Sequence, residues 1–440
     1  MQDGAIFFLI GGGLVAFLLG FVSMRQARKR RHIRDTPISK AAGVFIGDVE
    51  VKGTAESSEP LVSYLAERQC VHYAWSVAEH WRRTRIESYT DSKGNRRTRT
   101  VVETGWDTVA SGGAQIPFYL LDDSGYLLIR PEGMRVEGVE VFGHECSPSH
   151  PLYYGKGPRG SVSGSTERRM FTETAIPIHT PIFVMGAARE RTDIVAAEIA
   201  HSSDARFSLI TTASEDSVAQ GYTVGIWVAG VFGALAALAG GLLFASARDI
   251  RDGGLVLAGV ASIAAYLVAL SSLWMVMTFN TLLAHRQRVR RGWANIDVEL
   301  KRRSDLFPNL AAAVKGVRGH EAETQRLVAL LRAQAAIPPS AVRDGAATVE
   351  GVAPHVFALA ESYPALKASE NFLSLQEELV RTESRIALAR TYYNGLVTSF
   401  NGRIATVPDS VLARFGGLKP FAFFEAKGLE RDAVVVNFES

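Results

Sequence analysis

The residues best suited to hold a metal ion are His144, Cys146 and His150, which lie within seven positions of one another. Imidazole and thiolate groups are preferred zinc ligands, and this spacing could place three donors near one another. A fourth ligand is not evident, and a polar loop with one buried thiol explains the same residues. We therefore predict no metal, no bound cofactor and no catalytic residue here.

Other chemical motifs are incomplete. Residues 155–164 (GKGPRGSVSG) contain glycines and cations, but they lack the Gly-Lys-Ser/Thr ending and the strand-to-helix context of a phosphate-binding loop, so we predict a flexible surface loop. Cys70 and Cys146 are the chain's two cysteines, too few for a four-cysteine zinc finger. His320 and Glu321 do not form the paired Glu-x-x-His motifs that a di-iron bundle needs.

Three apolar runs determine where any such residues would be held. Residues 5–22, 222–245 and 254–283 contain no Asp, Glu, Lys or Arg. A helix that rises 1.5 Å per residue needs about 20 apolar residues to cross a bilayer core of about 30 Å. We predict three transmembrane helices, the first within residues 1–23 and the last two as a hairpin over 222–283.

The cations predict how the chain is oriented in the membrane. Basic residues follow the first run rather than precede it, which indicates an uncleaved anchor instead of a cleaved signal peptide. Because flanks rich in Lys and Arg stay in the cytoplasm, we expect a bacterial inner-membrane protein with its N-terminus outside. The basic segment 24–40 and both soluble domains, 41–220 and 284–440, are then cytoplasmic. The expected contacts with anionic lipid are Arg25, Arg28, Lys29, Arg30, Arg31, Arg34, Arg286, Arg288, Arg290 and Arg291.

Small residues recur at four-residue spacing in the second run, where Ala229 precedes Gly233 and Ala236 precedes Gly240. Such positions let helix backbones approach closely in lipid. We expect these residues to pack helices together, within the chain or between copies of it, and we expect a homo-oligomer.

Residues 41–220 have the alternating, β-branched and aromatic pattern of strands. Residues 118–129 (FYLLDDSGYLLI) predict a hairpin whose turn is supplied by Asp122, Asp123, Ser124 and Gly125. The expected fold class is therefore α+β, with a compact β-rich domain between the first two membrane helices.

Three segments of this domain resemble the GIDE domain, a membrane-adjacent module of mitochondrial ubiquitin ligases and of many prokaryotic proteins. They are residues 70–77 (CVHYAWSV), 116–133 (IPFYLLDDSGYLLIRPEG) and 173–188 (ETAIPIHTPIFVMGAA). The resemblance implies a domain held between two spans. It does not imply ligase activity, because the C-terminal RING finger that carries this activity in the ligases is missing here. The mitochondrial proteins hold the module in the intermembrane space, which disagrees with the cytoplasmic side predicted from the cations.

The C-terminal part is helical in period. From residue 372, apolar or small residues fall at 372, 375, 379, 382, 386, 389, 393, 396 and 400, a heptad pattern typical of a long helix with a packing seam. Shorter helices are predicted over residues 319–336 and 347–362. With the continuation of the third span, four helices would form a bundle.

This region resembles the LemA family in residues 295–315 (NIDVELKRRSDLFPNLAAAVK), 363–390 (YPALKASENFLSLQEELVRTESRIALAR), 415–426 (FGGLKPFAFFEA) and 434–438 (VVVNF). The resemblance implies a membrane-anchored antiparallel helical bundle. LemA proteins usually carry one N-terminal span, whereas here the third helix would be the anchor.

The combined pattern favours a non-enzymatic protein, an oligomeric scaffold or membrane organiser whose partners are the bilayer and its anionic lipids. A protein partner of the β domain or the bundle is a further expectation, and nucleic acid is not expected. The alternatives are a membrane sensor or signalling adaptor, a conjugation-type activity implied only by the GIDE resemblance, and a metal-dependent hydrolase at His144 and Cys146.

Overall fold

The computed structural model describes residues 2–90, 96–191, 196–202, 208–315, 322–337, 342, 352–363 and 369–424. The chain divides into two compact units, a helical unit formed by Met1–Ser39 with Asp216–Ser440, and a β unit formed by Lys40–Glu215. The β unit is thus inserted between the first helix and the other helices of the helical unit.

The helices are α1 (Gln2–Asp35), α2 (Pro151–Gly155), α3 (Glu215–Ala247), α4 (Gly253–Lys315), α5 (Ala322–Ala335), α6 (Ala353–Ser362), α7 (Glu370–Ala405) and α8 (Asp409–Phe415). The strands are β1 (Ile38–Ser39), β2 (Gly47–Glu56), β3 (Leu61–Val62), β4 (Gln69–Thr90), β5 (Arg96–Gln115), β6 (Phe118–Asp122), β7 (Gly125–Ile129), β8 (Arg135–Glu137), β9 (Val139–Cys146), β10 (Ser165–Pro177), β11 (Pro181–Glu190), β12 (Ala197–Ala200) and β13 (Leu209–Thr211).

All three predicted apolar runs lie on helices. Helices α1, α3 and α4 are each long and apolar enough to cross a membrane, as judged by length and composition. Helix α4 is 63 residues long and continues without interruption from the third apolar run into the bundle. At 1.5 Å per residue it extends about 95 Å.

Helix α7 runs antiparallel to α4. Glu299 pairs with Arg385, whereas further back along α4 Gly292 lies against Leu396 and His285 against Phe400. The predicted heptad seam is confirmed, since every seam position except the partly buried Leu375 is buried in α7. Helices α5 and α6 complete the bundle around a shared core that includes Phe307, Leu310, Leu327, Leu331, Val352, Val356, Phe372 and Leu379. The segment 434–438 and residues His320 and Glu321 lie outside the described residues.

The β unit contains a small closed barrel. Strands follow the order β2-β6-β7-β12-β11, and β11 pairs back onto β2, so these five strands have no free edge among themselves. Fully buried aliphatic side chains, including Val51, Leu120 and Ile129, fill it. The predicted hairpin over 118–129 is confirmed: Asp122 Oδ1 accepts the backbone N–H groups of Ser124 and Gly125, and Gly125 has φ +143°.

A second sheet is built on a long hairpin. Strands β4 and β5 pair from His72 opposite Gln115 to Thr90 opposite Arg96, while β10 pairs with β4 only as far as Trp81. The outer part of the hairpin, residues 82–90 and 96–104, is therefore a two-stranded ribbon, and residues 91–95 at its tip lie outside the described residues.

One buried ion pair organises the loops beside this sheet. Arg169 and Glu79 are 2.8 Å apart with side chains 1% and 0% exposed. Arg169 also donates to the backbone carbonyls of Tyr153, Pro158 and Gly160. Two of these carbonyls, those of Pro158 and Gly160, belong to the loop predicted to be flexible over 155–164, so the donors of the buried guanidinium anchor that loop.

Candidate membrane-proximal site

The three apolar helices pack against one another through small residues. A Cβ atom placed on Gly12 would lie 2.7 Å from Gly240 Cα and 3.0 Å from the Ala236 carbonyl oxygen, so α1 and α3 touch backbone to backbone. Gly233 makes room for the ring of Tyr266, whose hydroxyl donates to the Gly230 carbonyl at 3.1 Å. Ala229 on the same helix is 8% exposed. The small residues of the second run therefore line contacts within the chain.

The basic end of α1 lies beside α4. Arg31 donates to Thr278 Oγ1 at 2.7 Å, and its guanidinium lies 5.9 Å from the ring of Trp274. On the other side of α1, the Lys29 ammonium lies 5.7 Å from the ring of Tyr222 on α3. These contacts place the last two turns of α1 next to the end of the third apolar run and the start of the second.

Arg403 joins three elements at the end of the bundle where α7 ends, which we call the base of the bundle. From α7 it reaches Asp35 at the end of α1 at 2.6 Å and Asp409 at the start of α8 at 2.5 Å. The three side chains are between 13% and 18% exposed, so the attraction between them is only partly screened by water. One cation thus holds two carboxylates from distant parts of the chain, and we call this group the Arg403 clamp.

The structure corrects the sequence-based expectation for Arg288. This residue is 9% exposed and donates to Thr36 Oγ1 at 3.1 Å, so it lies inside the protein rather than at a lipid headgroup. Its place on α4, one turn after the buried His285, turns it toward α1 and α7. The other predicted lipid contacts are accessible to different degrees: Arg25, Arg28, Arg34, Arg290 and Arg291 are exposed, and Lys29, Arg30, Arg31 and Arg286 are partly exposed.

The segment that follows α8 is bound along α7. Asn401 brackets the backbone of Phe421, accepting its N–H at 3.0 Å and donating to its carbonyl at 2.8 Å. Asn394 brackets Phe424 in the same way. Tyr393 donates to the Ala422 carbonyl, and burial raises the pKa of its hydroxyl. The C-terminal described residues therefore add an extended segment to the bundle.

The residues considered for a metal site do not form one. Cys146 is buried against Phe171 and Tyr153, and His150 Nδ1 accepts the N–H of Leu152 as the cap of α2. The rings of His144 and His150 lie 5.0 Å apart. Among all described residues, no three His, Cys, Asp or Glu side chains are grouped to hold a metal ion.

Sequence reasoning missed Asp35, Arg403 and Asp409. Arg403 and Asp35 are 368 residues apart, and neither lies in a recognisable motif. The one available signal was Asp35 itself, the single acidic residue within the basic segment 24–40.

These features define a class of protein: a helical bundle continuous with helices of membrane-crossing length, with a β unit inserted between the first of those helices and the rest. Residues 292–438 match the LemA family, and residues 86–242 match the GIDE family, which is described as E3 Ubiquitin ligase. Protein LemA of Metamycoplasma hominis is 25% identical over 158 residues, which cover 34% of this chain and 71% of that protein. The chain therefore carries a LemA segment and a GIDE segment, and the two family resemblances seen in the sequence are confirmed.

Proposed function

We propose that this chain is a non-enzymatic scaffold of the bacterial inner membrane, in which the membrane helices and the LemA-type bundle act as one body. The Arg403 clamp carries the proposal, because it ties the end of the first helix to the base of the bundle. The unbroken α4 makes the second connection. A membrane anchor joined loosely to a soluble domain would need neither.

The proposed orientation has the N-terminus outside and both soluble parts in the cytoplasm. It is supported by the exposed cations at the end of α1 and on α4 just after the third apolar run. Each such cation contributes about 1 kcal/mol of attraction to an anionic inner leaflet. The proposed lipid contacts are therefore the accessible members of the basic set, without Arg288.

Orientation can be tested with cysteines introduced one at a time, because the native Cys70 and Cys146 are buried. We expect Val62→Cys in the β unit and Val298→Cys in the bundle, both at exposed positions, to react with a membrane-impermeant maleimide only after the inner membrane is broken. A control cysteine at Arg251, in the loop between α3 and α4, should react in cells whose outer membrane alone is permeable. Reaction of the Val62 variant in those cells would overturn the proposed side.

The scaffold proposal also requires a defined assembly. We expect native mass measurement of the full chain in lipid nanodiscs to give one discrete oligomer that persists on dilution. A monomer over the whole concentration range would rule out the oligomeric scaffold while leaving the membrane anchoring untouched.

A further inference from the structure

Helix α8 exposes apolar side chains at the base of the bundle. Phe415 is 89% exposed and Val411 48% exposed, and Val407 just before the helix is 80% exposed. The opposite side of α8 is packed, with Leu412 at 7% and Ala413 at 2% exposure. Helix α8 therefore has one apolar side packed in the bundle and one apolar side exposed, and exposed apolar patches of this kind mark interaction surfaces.

The end of α8 is fixed in conformation and in place. Gly417, at φ +62°, ends the helix in a left-handed residue, and the N–H of Leu418 bonds back to the Ala413 carbonyl. A Cβ atom on Gly416 would lie 2.5 Å from the Phe279 ring, so the turn after α8 packs directly on the third apolar run of α4. Helix α8 is therefore attached to a helix of membrane-crossing length.

Two contacts determine the level of α8 relative to the bilayer. Phe279, beneath Gly416, follows Thr278, which accepts a hydrogen bond from Arg31. Arg31 belongs to the basic segment of α1, and such segments lie among lipid headgroups in the proposed orientation. One residue on α4 is about 1.5 Å of rise, so the end of α8 lies at the level of the headgroups.

We propose that α8 is an interfacial membrane helix, with Phe415, Val411 and Val407 inserted at the boundary between headgroups and acyl chains. Arg414 and Lys419, both exposed, flank the apolar side chains and would face lipid phosphates. The inference rests on the proposed membrane anchoring and adds to it a fourth contact with the bilayer, made by the bundle itself. A lipid surface fits better than a protein groove because Gly416, the residue after Phe415, packs on Phe279 of the third apolar run.

The test places a nitroxide label on Phe415→Cys in the full chain, reconstituted in nanodiscs that contain anionic lipid. Accessibility is measured with oxygen, which concentrates in lipid, and with a water-soluble nickel complex. The two controls are Val268→Cys, a 67% exposed position within the third apolar run, and Val298→Cys, 64% exposed in the bundle. Positions 279 and 298 on α4 are about 28 Å apart along the helix axis.

We expect the Phe415 label to favour oxygen over nickel at least threefold more than the Val298 label, with a value between the two controls. A Phe415 label that matches the Val298 label would overturn the interfacial helix. If instead the Val268 label also matched the Val298 label, the membrane anchoring itself would be wrong. These two failures are therefore distinguishable.

If position 415 were instead buried against protein, the accessibility measurement would give a different result. In that case both reagents would be excluded, and contact between two copies would broaden the spectrum until unlabelled protein was added in excess. Either result would replace lipid by a protein surface and contradict the proposal. A melting curve matching that of the unsubstituted chain establishes that each labelled variant is folded.

Discussion

Two adjacent arginines on β10 show how strongly surroundings determine the role of a charge. Arg168 is 54% exposed and pairs with Glu145, whereas Arg169 is 1% exposed and pairs with Glu79 while donating to three carbonyls. An exposed pair contributes about 0–1 kcal/mol because water screens it. A buried charge that loses its partner typically costs about 3–5 kcal/mol.

We therefore predict that Arg169→Met destabilises the β unit by roughly 3 kcal/mol, because Glu79 and three carbonyls lose their buried partner. Hydrogen exchange of the full chain, followed by mass spectrometry, should show faster exchange across residues 153–164. Arg168→Met is the matched control and should leave that exchange unchanged. Equal effects of the two substitutions would show that the buried network does not hold the loop.

The two cysteines provide a second prediction at this scale. Burial, together with the charge of Glu173, raises the pKa of Cys70 to about 11. The thiol is half ionised at about pH 11. At pH 8 about one thousandth of it is therefore thiolate, compared with about a quarter for an ordinary cysteine. Cys70 is also 0% exposed.

We expect N-ethylmaleimide at pH 8 to leave Cys70 unmodified in the folded chain and to modify it fully in denaturant, as measured by peptide mass. An introduced cysteine in the variant Val62→Cys, exposed nearby in the same sheet, should react within minutes. Rapid reaction of native Cys70 would contradict the packing described for β4.

At the scale of elements, periodic and local features could be predicted from the sequence, whereas contacts between residues far apart in the chain could not. The α7 seam was predictable because a heptad buries one stripe whatever the partner, and Phe372, Ile386 and Phe400 are buried as expected. The hairpin over 118–129 was predictable because its turn chemistry is local. The Arg403 clamp was not, since a charge pattern does not identify a partner hundreds of residues away.

The third apolar run shows a related limit. By composition alone, the third apolar run extends over residues 254–283. A helix of that length is about 45 Å long, which exceeds a bilayer core of about 30 Å. Packing adds information that composition lacks. Arg31 of α1 donates a hydrogen bond to Thr278, so a charged side chain lies beside the last turns of the third apolar run. Depth in a membrane is therefore determined by the helices together.

The contact between α1 and α3 leads to a prediction with an internal control. Gly12→Ala places a methyl group 2.7 Å from Gly240 Cα, so the two backbones must separate, at a cost of about 1–3 kcal/mol for overpacking. Gly13→Ala meets nothing within 4 Å. We expect only the first substitution to lower the thermal midpoint in detergent, measured by circular dichroism. A lower midpoint for both would indicate a general intolerance of α1 to alanine.

At the scale of the molecule, the helical unit is one compact unit built from two segments of the chain, and the β unit is inserted between those segments. We predict that a chain in which residues 40–215 are replaced by a long glycine and serine linker still forms the Arg403 clamp. The measurement is the effect of Arg403→Met, which should lower the melting temperature of the shortened protein by as much as that of the full chain, because the same two carboxylates lose their cation.

The exposed Arg251→Met serves as the control in both backgrounds and should have no effect. Loss of the Arg403→Met effect in the shortened protein would mean that the β unit is needed to bring α1 to the bundle.

The clamp also has a consequence for the order of assembly during synthesis. Asp35 and Arg403 are separated by 368 residues, and ribosomes add about 5–20 residues per second. Helix α1 is therefore made roughly 20–70 s before its partner on α7, and Gly12 has no backbone to pack against until α3 has been made. The β unit is made in that interval, so the ion pair between Asp35 and Arg403 can form only after the β unit and helices α3 and α4 have been synthesised.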